Sequence, residues 1–187
     1  MPLKIYLDPA LSSPREVGYV LSVIAANKNF EIVRVENPGN SDLNITAGPD
    51  GDFVIAGNFF ESIRQGKFGH EFHFSNKCSI TGNDGREDLI STIFYCINSM
   101  QEYDTESSDS LGRFEFNNSY QKKFGNVNEN LVQQAIDRFC EHDKVRPLAG
   151  SSRKSKIFLT HDIDSIDRKS TRLNSSHSSV SRMPSSA

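Results

Sequence analysis

Asp162 and Asp164 stand at i and i+2 in the stretch Leu159-Thr160-His161-Asp162-Ile163-Asp164. They follow directly on an apolar run, Ile157-Phe158-Leu159, which is bounded upstream by the polar stretch 150–156. Such a run reads as a buried strand of an α/β sheet. On a continuation of that strand both carboxylates point to one side, at the strand's carboxyl end. Open α/β sheets and barrels carry their chemistry at that end. A carboxylate placed there can act as a base, a nucleophile or a hard oxygen ligand for a cation. Most Asp-x-Asp pairs are turn or capping residues in water. The buried strand that feeds this one sets it apart and makes Asp162 and Asp164 the leading candidate site residues.

The other residue types with ligand or nucleophile chemistry are less well arranged. His70 and His73 lie in a segment of short strands, where an odd offset sends side chains to opposite faces and makes them poor co-ligands. Cys78, Cys96 and Cys140 are odd in number, widely spaced and form no C-x-x-C. Cys96 and Cys140 fall in apolar helical patterns, so reduced core or near-core thiols in a cytoplasmic setting are expected.

Composition narrows the function classes. The chain has 187 residues, 36% hydrophobic and 24% charged, which suits one globular domain and part of another. The net charge of −3 leaves no nucleic-acid footprint. No stretch reaches the length of a transmembrane helix, and the first residues lack the apolar region of a signal peptide.

The elements that must position the candidate site can be taken in order. The alternation of Leu3–Leu7 reads as a first strand. Ser13, Pro14 and Glu16 fit the N-cap, N1 and N3 positions of a capping box, and Val17, Val20, Leu21 and Ile24 share one helical face. Residues 30–35 read as a second strand. This β-α-β opening predicts an α/β fold whose mixed or parallel sheet has covering helices. Short strands are expected at Leu43–Thr46 and 53–56, joined by a Pro49-Asp50-Gly51 turn. Residues 59–68 hold room for one helical turn, and short strands are expected at 71–74 and 78–81.

Residues 87–103 give the strongest helical pattern, with Leu89, Ile90, Ile93, Phe94, Ile97 and Met100 in one stripe. Asn126 to Glu129 forms a second capping box, which opens a helix to about residue 141. The spacing thus predicts an α/β domain over 1–143, a linker over 144–155 and the first strand of another domain over 156–166.

The last 21 residues change character. Residues 167–177 resemble a forward translation of a common short-read sequencing adapter, and 181–187 resemble its continuation in the same frame. The three residues between them leave room for an index. The segment is therefore set aside as an artefactual, disordered tail. It carries four basic residues against one acidic, so the remainder is more acidic than the whole chain. The expectation is a fragment, cut soon after the Asp-x-Asp.

Three segments resemble one family. Asp88-Leu-Ile-Ser-Thr-Ile-Phe-Tyr-Cys-Ile-Asn-Ser-Met-Gln-Glu-Tyr103 is similar to an Asp-(Leu/Ile)-Phe-Ala-x-x-Phe-(Phe/Tyr)-x-Leu-Ser-Arg-x-Glu-Glu-Tyr helix. Gly112-Arg113-Phe114 is similar to the Gly-Arg-Phe that follows that helix, and Leu159–Asp164 to a Leu-Thr-His-Asp-Val-Asp motif. In this order they resemble the N-terminal accessory domain and first catalytic motif of bacterial polysaccharide-deacetylase-like proteins. Asn98 to Gln101 departs from the Ser-Arg stretch of the pattern.

The resemblance implies a distorted (β/α)-barrel catalytic domain, a divalent metal, often zinc, and a carbohydrate polymer as substrate. Carried over by position, Asp162 would be the catalytic base and Asp164 a metal ligand. Asp162 and Asp164 are one residue apart, unlike the adjacent Asp-Asp pair of better-known members. His161, pointing opposite to the aspartates, would pack or support from behind. A metal site usually needs three protein ligands, and the family's two histidines on a His-x-x-x-His would follow the cut. The fragment is then expected to bind no metal and to be inactive.

Two other readings stay open. A haloacid-dehalogenase-type phosphotransferase would use Asp162 as nucleophile and Asp164 as acid/base, although Ile166 departs from its Thr or Val. A non-enzymatic reading makes residues 1 to about 145 an interaction or substrate-presenting module.

Overall fold

A computed structural model describes residues 1–56, 58–68, 79–82, 85–103 and 108–150. These lie in one compact unit spanning Met1–Arg153. Four strands form a parallel sheet: β1 (Leu3–Leu7), β2 (Ile32–Val35), β3 (Leu43–Thr46) and β4 (Phe53–Val54), in the order β2-β1-β3-β4. β1 is central. It pairs with β2 through Leu3↔Ile32 to Tyr6↔Val35, and with β3 through Ile5↔Leu43 to Leu7↔Ile45. The protein is an α/β fold, as the β-α-β opening predicts.

The alternation along the strands decides which face is buried. Leu3, Ile5, Leu7, Leu43 and Ile45 point to one side and are buried. Paired residues share a face, so Lys4, Tyr6, Val33, Asn44 and Thr46 point to the other, where they are exposed or half-buried. Helix α1 (Pro14–Lys28) buries Val17, Val20, Leu21 and Ile24 in the core, the stripe that the 3.6-residue period gives. It stops at Asn29, which takes a left-handed conformation (φ 55°), as Asn tolerates at a helix end. Helices α3 (Leu89–Ile97) and α5 (Leu131–Cys140) add Ile90, Ile93, Ile136 and Phe139 to the same core. Phe139 stacks on Phe53 of β4, with ring centroids 4.3 Å apart and planes 18° apart.

The parallel step from β3 to β4 uses no crossover helix. Phe53 sits level with Ile45, so the chain steps back by about one residue pair, not a whole strand. Gly51 makes that tight return possible. A Cβ there would collide with Thr46 Oγ1 and lie 2.9 Å from the Phe53 carbonyl oxygen. Space, not a positive φ, is what Gly51 supplies, because the positive-φ glycines are Gly66, Gly85, Gly112 and Gly125.

Further elements are α2 (Phe59–Arg64), an antiparallel pair of β5 (Ile80–Thr81) and β6 (Glu87–Asp88), α4 (Tyr120–Phe124), and 3-10 turns at Pro38–Asn40 and Phe116–Asn118. The long helix expected over 87–103 is divided. Its first two residues form β6, and α3 ends where Asn98 donates both its backbone N–H (3.2 Å) and its side-chain Nδ2 (2.8 Å) to Phe94 O. Ser99 then turns left-handed (φ 47°), and Met100–Tyr103 is a 3-10 turn. A side-chain amide competing for a helix carbonyl gives a local reason for the break. Likewise α5 starts at Leu131, not Asn126, because Asn130 provides the cap by accepting from Gln133 N at 3.0 Å.

Candidate functional site

In an open α/β sheet the ligand crevice lies beyond the carboxyl ends of the strands, where the strand order reverses. Here that point falls between β1 and β3. The chain leaves β1 through α1 to β2 on one side, and β3 lies on the other. A cavity is present there, lined by Ala10, Leu11, Ser12, Ser13, Ala47 and Ile55 among others, but its volume is about 50 Å³. That suits one or two waters, well below the 300–1,000 Å³ of a typical ligand pocket.

Residues around the crevice are already engaged. Asp8, after β1, accepts from Ala10 N at 2.9 Å. Arg64 of α2 donates to Ser12 O at 2.7 Å and to Ser13 Oγ, and lies 3.6 Å from Glu16. Ser13 is the N-cap residue of α1, but its side chain does not cap. The expected Ser13–Glu16 capping box is replaced by an arginine that takes both side chains. An arginine at the positive end of a helix is unfavourable alone, and Glu16 and Glu61, the latter 3.4 Å away, offset it.

One buried carboxylate backs this region. Asp88 is 1% exposed. Its Oδ2 accepts from Ala56 N at 2.6 Å, and its Oδ1 accepts from Ser91 N at 2.8 Å. Burial pushes its carboxyl up to about 6, against the pull of hydrogen bonds from Ser91, Ala56 and Ile90. A carboxyl group in that range could serve as a general base if a substrate reached it. Asp88 is out of reach, and its oxygens hold the first turn of α3 and the chain after β4 together. Thr92 extends the clamp: its Oγ1 donates to Asp88 O at 2.7 Å and accepts from Ile80 N at 2.8 Å.

A second cluster joins distant parts of the chain. Asp52 accepts from Asn44 N at 2.8 Å and from Lys144 Nζ at 3.1 Å, with His142 Nε2 3.6 Å away. Partial burial raises the Asp52 carboxyl, but the bonds from Asn44 and Lys144 and the Lys144 charge outweigh it and hold it below its ordinary value. The His142 ring also lies 5.3 Å from Phe53. The cluster fastens the segment after α5 to the β3–β4 turn. Among the described residues, no group of three or more His, Cys, Asp or Glu could hold a metal ion.

Asp162, Asp164 and His161 lie outside the described residues, as do His70, His73, Cys78 and the tail 167–187. Cys140 is buried and Cys96 half-buried, both free thiols. Burial pushes the Cys140 thiol up to about 11, which makes it a weak nucleophile. Sequence reasoning passed over Asp88 as a buried group. Its signal was an aspartate directly before the apolar run of α3, the N-cap position. Asp52, His142 and Lys144 carry no local signal, since about 90 residues separate Asp52 from the other two.

Of the three segments singled out in the sequence, Asp88–Tyr103 and Gly112–Phe114 fall within the described residues, and both have architectural jobs. Asp88 opens α3. Gly112 takes φ +73° in a turn where Asp109 accepts from Leu111 N, Arg113 N and Arg113 Nε, each at 2.9 Å. Among the described residues no helix is long and apolar enough to cross a membrane.

Comparison with known families matches residues 15–142 to DUF7033, described as a family of unknown function. No curated protein and no solved structure matches the chain.

Proposed function

We propose, for a chain that belongs to the DUF7033 family, that residues 1–143 form an accessory α/β domain and that Asp162 and Asp164 carry the chemistry. The chemistry we propose is that of a metal-dependent polysaccharide deacetylase-like enzyme, which removes acetyl groups from a carbohydrate polymer. The observation that carries this reading is the division of labour among three segments in family order. The Asp88 segment caps and packs a core helix, and the Gly112 segment makes a glycine-dependent turn. Both have local structural reasons for their residue types. The third segment, Leu159–Asp164, is left with two neighbouring carboxylates for chemistry.

In this reading Asp164 is a hard oxygen ligand and Asp162 is the base that takes a proton from the attacking water. A bound divalent ion, zinc for example, would polarise the carbonyl of the acetyl group and lower the pKa of water. Two carboxylates do not complete a three-ligand site, so this reading calls for further donors, which the resemblance supplies as two histidines on a His-x-x-x-His. A cytoplasmic setting accords with the free thiols of Cys96 and Cys140.

The test is to read the natural locus beyond Ile166. A His-x-x-x-His within roughly the next 100 residues, about half a domain or more, is the expected result. Its absence overturns the deacetylase reading. A natural frame that reads through residues 167–187 unchanged overturns the adapter assignment.

A further inference from the structure

A second opening lies on the side of the domain built from α3, α4 and the chain leading into α5. It is an open groove of about 430 Å³, several times the crevice at the strand ends. Its walls include Tyr120 and Gln121 of α4 and the run Val127-Asn128-Glu129-Asn130. Among the described residues, no lysine or arginine lines it, and Glu129 is the one carboxylate that does.

We propose that this groove binds a neutral, hydroxyl-rich sugar. The chemistry of the walls selects that class. The planar amides of Gln121, Asn128 and Asn130 all offer N–H donors, and Asn128 adds an acceptor, the pairing that adjacent hydroxyl or acetamido groups need. The apolar side chains of Val127, Leu131 and Val132 give the C–H face of a ring somewhere to rest. The lack of a cation disfavours phosphates and nucleotides, and one carboxylate is too few for a metal.

The groove is held in shape from beneath. Gln101, 9% exposed, donates Nε2 to Gln121 Oε1 at 2.9 Å and accepts from Tyr120 N at 3.0 Å. Both ends of a nearly buried side chain thus fix the first two residues of α4. With Oε1 taken, Gln121 presents its amide N–H groups. Tyr120 is further oriented by its hydroxyl, which donates to Cys96 Sγ at 3.3 Å. Asn130 accepts from Gln133 N with Oδ1, which leaves its NH₂ to a ligand. Asn128 is exposed and makes no hydrogen bond among the described residues.

The proposal uses neither Asp162 nor Asp164, and binding is read without turnover, so failure of the deacetylase reading leaves this proposal standing and the reverse also holds. The experiment is ligand-observed saturation-transfer NMR and calorimetry on the 187-residue chain. The probes are an N-acetylglucosamine tetramer, a glucose tetramer and glucose 6-phosphate. We expect one or both neutral oligosaccharides to bind, with Kd of about 1 mM or tighter, and the phosphate not to bind. Asn128→Ala touches no partner, so it should leave folding intact and weaken binding about fivefold, as loss of one hydrogen bond does. Adding Gln121→Ala should weaken it further. No binding of either neutral probe at about 10 mM, or binding that both substitutions together leave unchanged, overturns the proposal.

Discussion

Asp88 shows how one side chain can fix the meeting point of several elements. It satisfies the amide of Ala56 after β4 and the amide of Ser91 in the first turn of α3, in an environment that excludes water. Asp88→Ala removes a helix cap and leaves a buried amide unpaired. Each effect costs about 1–2 kcal/mol, so a loss of about 3 kcal/mol in urea unfolding is expected. The pH dependence follows from the same burial. The folded carboxyl titrates near 6 and the unfolded one near 3.8, so between those values the folded state holds the extra proton. Asp88 therefore contributes stability that is present below about pH 4 and lost as pH rises toward 6. Asp52 and Asp137 act in the opposite sense, since their folded carboxyls are lowered. Their contribution is present above about pH 4 and lost as pH falls below it. Subtracting the stability of Asp88→Asn from that of the parent chain across pH 3–8 isolates the Asp88 slope, which should be negative between 4 and 6.

At the scale of elements, the β3–β4 step is the least ordinary feature, and one residue permits it. Gly51→Ala should cost about 1–3 kcal/mol, because its Cβ meets the Thr46 side chain, whose rotation would break its bond to Gly48 O, and the Phe53 carbonyl, which cannot give way without moving the strand. Gly48→Ala in the same loop meets nothing within 4 Å and should be close to neutral. Comparing the two midpoints in urea separates crowding from general loop sensitivity. The same elements show what a reader of the sequence can and cannot find. β1, β3 and α1 were legible because Leu3, Ile5 and Leu7, and Val17, Val20, Leu21 and Ile24, repeat at the periods of the surfaces they bury. The division of 87–103 was not, because its apolar stripe continues past Asn98 while the backbone does not. Arg64's replacement of the Ser13–Glu16 box was hidden for another reason. The competing group arrives from 51 residues away, and a capping motif read locally cannot include it. The candidate site was least legible of all, since buried Asp88 and the groove at Tyr120 and Gln121 depend on neighbours brought in by the fold.

Across the molecule, the described residues pack around one core. Its core is continuous from β1 to α5, and its switch-point crevice is nearly filled. Gly150 N donates to Lys28 O at 3.0 Å, at the carboxyl end of α1. α1 has 15 residues, so this point lies about 22 Å along the helix from the crevice. A chain ending at Gly150 should therefore unfold in one transition, with far-UV circular dichroism and tyrosine fluorescence giving the same midpoint. Separate midpoints would contradict a single core.

Acetate release reports on the roles proposed for Asp162 and Asp164. The protein translated from the natural locus through and beyond Ile166, supplied with zinc, is incubated with an acetylated polysaccharide. Acetate should appear, and Asp162→Asn should reduce its rate by about a hundredfold or more, as loss of a general base does. Acetate release unchanged in Asp162→Asn, or none from the parent protein on N- or O-acetylated polymers, would contradict the account.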